Sequence, residues 1–160
     1  MCRMAHTLDL AVQIVPSMLV YLDTEFNGFG GDLISLALVP RELDAEPFYA
    51  VRAIPRDIDP WVKDHVLPVL KAQPMGEERF KAAVQAYLLS LEDHPLEIIA
   101  DWPEDIAHLC AQLCDVGGRQ LMIFPFFELV NTRGGGGCVS SVPHNALEDA
   151  IALRQWHIGV

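Results

Sequence analysis

The pattern of apolar and polar positions predicts five strands and four helices along the chain. Met18 to Leu22 is a short apolar run, as expected for a buried strand, and Asp32 to Val39 repeats that pattern after a glycine-rich turn. From Gly76 to Asp93 the apolar residues recur at helical spacing, which predicts an amphipathic helix. The predicted strands are 18–22, 32–39, 47–54, 96–100 and a strand within 120–129, and the predicted helices are 59–70, 76–93, 103–115 and 144–156.

The order of these elements, βββααβαβα, predicts one α/β domain with a mixed five-stranded sheet flanked by helices. The first three strands follow one another through polar turns and form an antiparallel meander, whereas helices lead into the last two, which are expected to be parallel. Residues 18–160 are expected to form this domain. Residues 1–17 are expected to form a mobile or loosely packed extension before it.

The charge balance limits the classes of function that fit the chain. Its 160 residues include 11 basic and 22 acidic side chains, which gives a net charge of −11. A protein that binds nucleic acid through a basic surface alone is therefore excluded, although bound divalent ions could reverse the charge of an acidic site. No apolar run is long enough for a membrane span, so we expect no membrane partner. Nothing near Cys110 and Cys114 completes a zinc site, so we interpret them as core or half-buried thiols of a protein in the reducing cytoplasm.

Asp23 and Glu25 stand at the end of the first predicted strand. Side chains alternate between the two faces of a strand, so these two carboxylates project to the same side. Two neighbouring carboxylates at a buried strand end repel each other and lose solvation, so they need protons or cations. Hard divalent ions such as Mg²⁺ take oxygen ligands of this kind. Taken alone, the pair is better explained as an acidic cap on a turn than as a site.

Two later stretches carry side chains suited to the same chemistry. Asp101 and Asp105 stand where a predicted strand gives way to a helix, and His144 and Asp149 stand at the start of the last predicted helix. Functional side chains gather at the carboxyl ends of parallel strands, so we expect these groups to lie near Asp23. Two divalent ions held by such carboxylates, with a histidine to accept a proton, are suited to phosphodiester hydrolysis.

The order and spacing of these motifs resemble those of the DEDDh 3′–5′ exonucleases of the ribonuclease-H-like superfamily. The matching motifs are Asp23-Thr24-Glu25, a later aspartate and the stretch HNALEDA, and the segment WVKDHVLPVL is similar to small bacterial exoribonucleases of that superfamily. The resemblance covers residues 18 to about 157. It implies a ribonuclease-H-like fold, a homodimer, and hydrolysis of single-stranded RNA or DNA from the 3′ end to nucleoside monophosphates.

The resemblance also implies a role for each motif residue. Asp23, Glu25 and Asp149 would hold one Mg²⁺ or Mn²⁺ ion. Asp23 and Asp105 would hold a second, with Asp101 as the reserve candidate for Asp105. His144 would be the general base, since histidine ordinarily titrates near neutral pH. Contacts to the terminal nucleotide would come from Thr24, Phe26, Asn27 and Phe29, whereas Trp61 and Trp102 are interpreted as packing residues.

Two other interpretations stay open. The segment VYLDTE also resembles the strand that carries the catalytic acid of an Asp-nucleophile phosphatase, but that chemistry usually needs a second aspartate where Glu25 stands, and a later lysine. The other alternative is a non-catalytic module that binds nucleic acid or protein on the same fold. Such a module need not bind two divalent ions, so metal titration separates it from the nuclease.

Overall fold

A mixed sheet of five strands forms the centre of the protein, which we describe from a computed structural model for residues 17–91, 95–115, 117–120, 123, 125–132 and 137–159. The elements in chain order are β1 (Met18–Phe26), β2 (Leu33–Pro40), β3 (Phe48–Val51), α1 (Pro60–His65), α2 (Glu77–Leu89), β4 (Leu96–Ala100), α3 (Pro103–Gln112), β5 (Phe126–Leu129) and α4 (Ala146–Ile158). The strand order is β3-β2-β1-β4-β5. None of the helices in these ranges is long and apolar enough to cross a membrane.

The pairing of the strands confirms the predicted fold class. β2 pairs antiparallel with both β1 and β3, which forms the meander, whereas β4 pairs parallel with both β1 and β5. Together with helices on both faces, this is the layout of a ribonuclease-H-like α/β fold. β1 lies at the centre of the sheet, and the carboxyl ends of β1 and β4 lie side by side.

Side chains of β1 alternate between two hydrophobic clusters, one on each face of the sheet. Leu22 packs with Phe80 of α2 and Leu109 of α3, and all three are fully buried. Tyr21 faces the opposite side and packs in a cluster with Leu153 of α4. Side chains of a strand alternate between its two faces. The residues of β1 that follow Leu22 therefore also point alternately toward the face covered by α4 and the face covered by α3.

The first strand and the last helix have different bounds from those predicted, and both differences affect the acidic residues. β1 continues through Asp23 and Glu25 to Phe26, because its hydrogen-bonded register with β2 continues past them, with Asp23 opposite Ala37. α4 begins at Ala146, so His144 precedes the helix instead of belonging to its first turn.

Other elements are shorter than predicted. α1 ends at His65 and is followed by a 3₁₀ turn at Leu67–Val69, because Pro68 has no backbone N–H to continue the helix. The predicted extension at 1–17 lies outside the described residues except for Ser17, whose hydroxyl donates to Glu97 at 2.9 Å.

Candidate metal centre

The carboxyl end of β1 carries the central acidic residues of the protein. Asp23, Thr24 and Glu25 are all in strand conformation, so Thr24 projects to the opposite face from its two neighbours. Thr24 accordingly faces α3, where its hydroxyl donates to Asp105 Oδ1 at 2.6 Å. The two carboxylates therefore project from one face of β1 and the hydroxyl from the other.

Two groups of carboxylates lie close enough together to hold a metal ion, and Asp23 belongs to both. The first group is Asp23, Glu25 and Asp149, and the second is Asp23, Asp101 and Asp105. In each group one ligand oxygen per residue lies within 4.8 Å of the others. The structure thus brings together all the carboxylates predicted from the sequence. Asp101 and Asp105, which were alternatives for one position, lie in the same group.

Burial and mutual repulsion raise the pKa values of these carboxyl groups. Burial raises the pKa of Glu25 from 4.5 to about 8, and the neighbouring Asp149 adds to the effect. Burial also raises the pKa of Asp105 to about 7, and it raises that of Asp149. The pKa of Asp23 is raised well above its usual range by burial and then by the charges of Asp105 and Glu25. A cluster of this kind retains its full negative charge near neutral pH only if cations balance it.

Two buried oxygen atoms test whether the residues fit a bound ion. Asp23 Oδ2 and Asp105 Oδ2 are buried and have no hydrogen-bond partner within the described part of the chain. Buried polar atoms normally have a partner, and an acceptor oxygen without a donor is available to a cation. Every ligand in both groups is a carboxylate oxygen, the donor type that Mg²⁺ and Mn²⁺ prefer. The residues therefore fit two hard divalent ions.

His144 lies beside this cluster in a conformation that is uncommon for its residue type. Its φ angle is +67°, in the left-handed region, and it is the one residue other than glycine with positive φ among those described. The backbone N–H of His144 donates to Asp149 Oδ2 at 2.9 Å. Strain of this kind persists where surrounding contacts enforce it, and here the contact is with one of the candidate ligands.

Asn145, the N-cap residue of α4, lies between His144 and the first turn that carries Asp149. Its fully buried side chain accepts a hydrogen bond from the Glu148 backbone N–H and donates to the Val69 carbonyl at 2.7 Å. The N-terminus of α4 is thereby attached to the turn that follows α1. The sequence analysis did not identify Asn145, although an asparagine directly before a helical apolar pattern is a recognisable capping signal.

An open cleft of about 670 Å³ leads to the carboxylates. Asp23, Glu25, Asp105, Asp149 and His144 all line it, as do the predicted substrate residues Thr24, Phe26 and Phe29. Phe29 is 91% exposed. The described residues that line the cleft include no lysine and no arginine.

Asn27, predicted to contact the substrate, is not among the residues that line the cleft. Its side-chain amide donates to the Asp57 carbonyl, and its side-chain oxygen accepts from the Asp59 backbone N–H, both at 2.8 Å. Asn27 therefore connects the β1–β2 turn to the loop before α1. The contact of Asn27 with a substrate stays a prediction.

Glu104 lines the cleft and was not identified by the sequence analysis. Its Oε1 accepts a hydrogen bond from the Gly30 backbone N–H at 2.5 Å, which connects the start of α3 to the turn that carries Phe29. No sequence signal distinguishes Glu104 from an ordinary acid in the first turn of a helix, where such residues are common.

The chain matches no model of a known protein family, and no curated protein is significantly similar to it.

Proposed function

We propose that the protein is a 3′–5′ exonuclease that depends on two divalent metal ions and releases nucleoside monophosphates from single-stranded RNA or DNA. The observation that carries the proposal is the pair of carboxylate groups that share Asp23, with His144 in the same cleft. The order of these motifs along the chain also resembles that of the DEDDh exonucleases, and this resemblance favours RNA as the substrate.

The residues of the site would have different roles in the hydrolysis. Asp23, Glu25 and Asp149 would hold one Mg²⁺ or Mn²⁺ ion and Asp23, Asp101 and Asp105 the other. When bound, such ions neutralise the phosphodiester and make a water molecule more acidic. His144 accepts the proton of the attacking water. The Thr24 hydroxyl donates to Asp105 Oδ1, which leaves Asp105 Oδ2 available to an ion.

The absence of basic side chains from the described cleft lining supports a metal-dependent reaction. A phosphodiester carries a negative charge, and without lysine or arginine that charge must be balanced by bound cations. The same observation disfavours the Asp-nucleophile phosphatase, because that chemistry needs a lysine near the nucleophile. Two ion sites beside a histidine also exceed what a non-catalytic binding module requires.

Release of mononucleotides from a labelled 3′ end tests the proposal. A single-stranded RNA labelled at its 3′-terminal nucleotide should yield the labelled monophosphate in Mg²⁺ or Mn²⁺ and not in EDTA. Asp23→Asn should abolish this release, whereas Asp44→Asn, which changes an exposed acid in the β2–β3 turn, should leave it unchanged.

Two results would contradict the nuclease. Intact RNA in Mg²⁺ or Mn²⁺, together with a calorimetric titration that detects no tight ion site, would support the non-catalytic module. Full activity of Asp23→Asn would show that another part of the molecule performs the reaction.

A further inference from the structure

Asp101 is the carboxylate of the second group whose position regular secondary structure does not fix. It directly follows β4 and precedes α3 by two residues, so it belongs to neither element. Asp105, by contrast, lies in the first turn of α3, is 2% exposed and accepts a hydrogen bond from Thr24. A carboxylate outside helix and strand needs another contact to present its oxygens to an ion in a fixed geometry.

That contact comes from the segment that follows β5. The Thr132 hydroxyl donates to Asp101 Oδ2 at 3.0 Å. The parallel register of the two strands brings these residues together, because Ala100 pairs with Leu129 and the Val130 backbone N–H donates to the Ala100 carbonyl at 2.9 Å. The two segments thus stay hydrogen-bonded one residue past the end of β5, and Thr132 meets Asp101 directly beyond that point.

The neutral hydroxyl of Thr132 is suited to holding a metal ligand. It donates a hydrogen bond without neutralising the carboxylate, so Asp101 keeps its negative charge for an ion. A lysine or arginine in the same place would form a charge-assisted bond with Asp101 and compete with the metal. Thr24 holds Asp105 in the same manner, so both aspartates that join Asp23 in the second group accept from a threonine hydroxyl.

The bond between Thr132 and Asp101 lies beside an open pocket of about 390 Å³. Both residues line this pocket, and Trp102 lines both the pocket and the cleft. Both partners are half-buried, so water can replace the hydroxyl and no deeply buried oxygen loses its partner when the hydroxyl is removed. Loss of the hydroxyl should therefore change the orientation of Asp101 more than the stability of the fold.

We propose that Thr132 is a positioning residue for the second ion, and that its hydroxyl orients Asp101 so that all three carboxylates of that group bind one Mg²⁺ or Mn²⁺ ion. The proposal rests on the two-metal function proposed above and adds to it a residue that acts through a ligand. Removal of a group that orients a metal ligand ordinarily lowers metal affinity by roughly 10- to 100-fold. Because water reaches this bond, the lower end of that range applies to Thr132.

A calorimetric titration with Mn²⁺ in a Glu25→Gln background measures the effect on one ion. In that background the group of Asp23, Asp101 and Asp105 keeps all its ligands, whereas the first group has lost one. Thr132→Val replaces the hydroxyl by a methyl group of similar size and should weaken the remaining tight site by about 10-fold. Thr132→Ser keeps the hydroxyl and should restore most of the affinity. If Thr132→Val does not fold, Thr132→Ala gives the same comparison.

Two controls separate positioning from a purely structural role. In an Asp105→Asn background the first group keeps all its ligands, and Thr132→Val should leave its affinity unchanged. Ser90→Ala removes a hydroxyl that donates to the Tyr87 carbonyl at the end of α2, and it should leave both ion sites unchanged. The melting temperature of Thr132→Val in EDTA should stay close to that of the wild type.

Two results of the titrations would overturn the proposal. One is an unchanged affinity when Thr132→Val is added to Glu25→Gln. The other is an equal loss of affinity in both backgrounds with a lower melting temperature in EDTA, since Thr132 would then only anchor the segment after β5.

The RNA assay distinguishes failure of this proposal from failure of the exonuclease. With all ligands intact, Thr132→Val should need about 10-fold more Mn²⁺ for half-maximal release of mononucleotides and should reach the wild-type rate at saturation. A lower rate at saturation with an unchanged half-maximal concentration would overturn the positioning role. A selective loss of Mn²⁺ affinity in a protein that leaves RNA intact would support the role of Thr132 and contradict the exonuclease.

Discussion

Asp23 belongs to both carboxylate groups, so at the scale of single residues it has the largest influence on the site. Its buried Oδ2 has no hydrogen-bond partner within the described ranges. Burial, and then the nearby charges of Asp105 and Glu25, raise the pKa of its carboxyl group. An amide at this position would keep the shape of the side chain and remove the charge. Such a substitution should therefore weaken metal binding but stabilise the metal-free protein.

We expect Asp23→Asn to lose the binding of both ions while it stabilises the metal-free protein. The substitution removes a ligand from each group, and it also removes a carboxyl group that the metal-free protein can bury only by binding a proton. Calorimetric titration with Mn²⁺ should therefore detect no tight site, and the melting temperature in EDTA should rise by a few degrees. A variant that keeps one tight site would show that the two groups do not depend on Asp23 equally.

His144 should contribute to the rate and not to metal binding. We expect His144→Asn to lower kcat by roughly 100-fold, the usual effect of removing a general base, and to keep both ion sites. Asparagine is the suitable replacement because it tolerates the left-handed conformation that His144 adopts. Single-turnover kinetics and Mn²⁺ titration measure the two effects. An unchanged rate would assign the proton transfer to another group.

The sequence predicted the acidic residues of the site better than it predicted their surroundings. Asp23 and Glu25 were recognisable because their two-residue spacing in a strand has a direct geometric meaning. The choice between Asp101 and Asp105 could not be made from the sequence, since both follow β4 and the structure places both beside Asp23. The role of Asn27 depends on a loop 30 residues away, and no local pattern contains that information.

At the scale of secondary structure, the N-terminus of α4 connects the site to the rest of the fold. Asn145 caps this helix and donates to the Val69 carbonyl, and the residues on either side of it are His144 and the first turn that holds Asp149. The helix also packs on β1 and β2 through Ala150 and Leu153, so the site and the core are connected by the same element.

We expect Asn145→Ala to lower the free energy of unfolding by about 2 kcal/mol, because it removes a helix cap and leaves the Val69 carbonyl without its side-chain donor. Activity should fall further than stability explains, since both His144 and Asp149 lose their anchor. Urea unfolding and kcat measurements check the two effects. Gln155→Ala is the control, because it removes an exposed amide side chain from the same helix.

The element order was predictable from the sequence because each boundary has a local cause. Pro60 and Pro103 stand at the first positions of α1 and α3, where a missing N–H costs nothing. The extent of β1 was not predictable, because Asp23 and Glu25 are poor strand formers and are kept in the strand by pairing with β2. Pairing with β2, and not the local preference of these residues, therefore determines how far β1 extends.

At the scale of the whole molecule, the raised pKa values make stability depend on both pH and metal. A carboxyl group whose pKa is higher in the folded protein than in the unfolded chain favours folding while it is protonated. For Glu25 this contribution is complete below pH 4.5 and is lost as the pH rises to about 8, and for Asp105 the upper limit is about 7. The metal-free protein should therefore become less stable over this range.

Thermal unfolding across that range, in EDTA and in Mg²⁺, checks this prediction. The melting temperature in EDTA should fall as the pH rises, and Mg²⁺ should restore it more strongly at the alkaline end of the range, where the ligands are charged. Glu25→Gln should flatten the profile in EDTA. A melting temperature that rises with pH in EDTA would contradict the raised pKa values.

The candidate site takes its side chains from three distant parts of the chain, near residues 23, 101–105 and 144–149. During synthesis, the ribosome would release the first two parts long before the segment that becomes α4. A nascent chain would therefore lack Asp149, His144 and the cap that positions them. Under the proposed function, the protein would therefore be inactive beside the messenger RNA that encodes it until α4 has docked on the sheet.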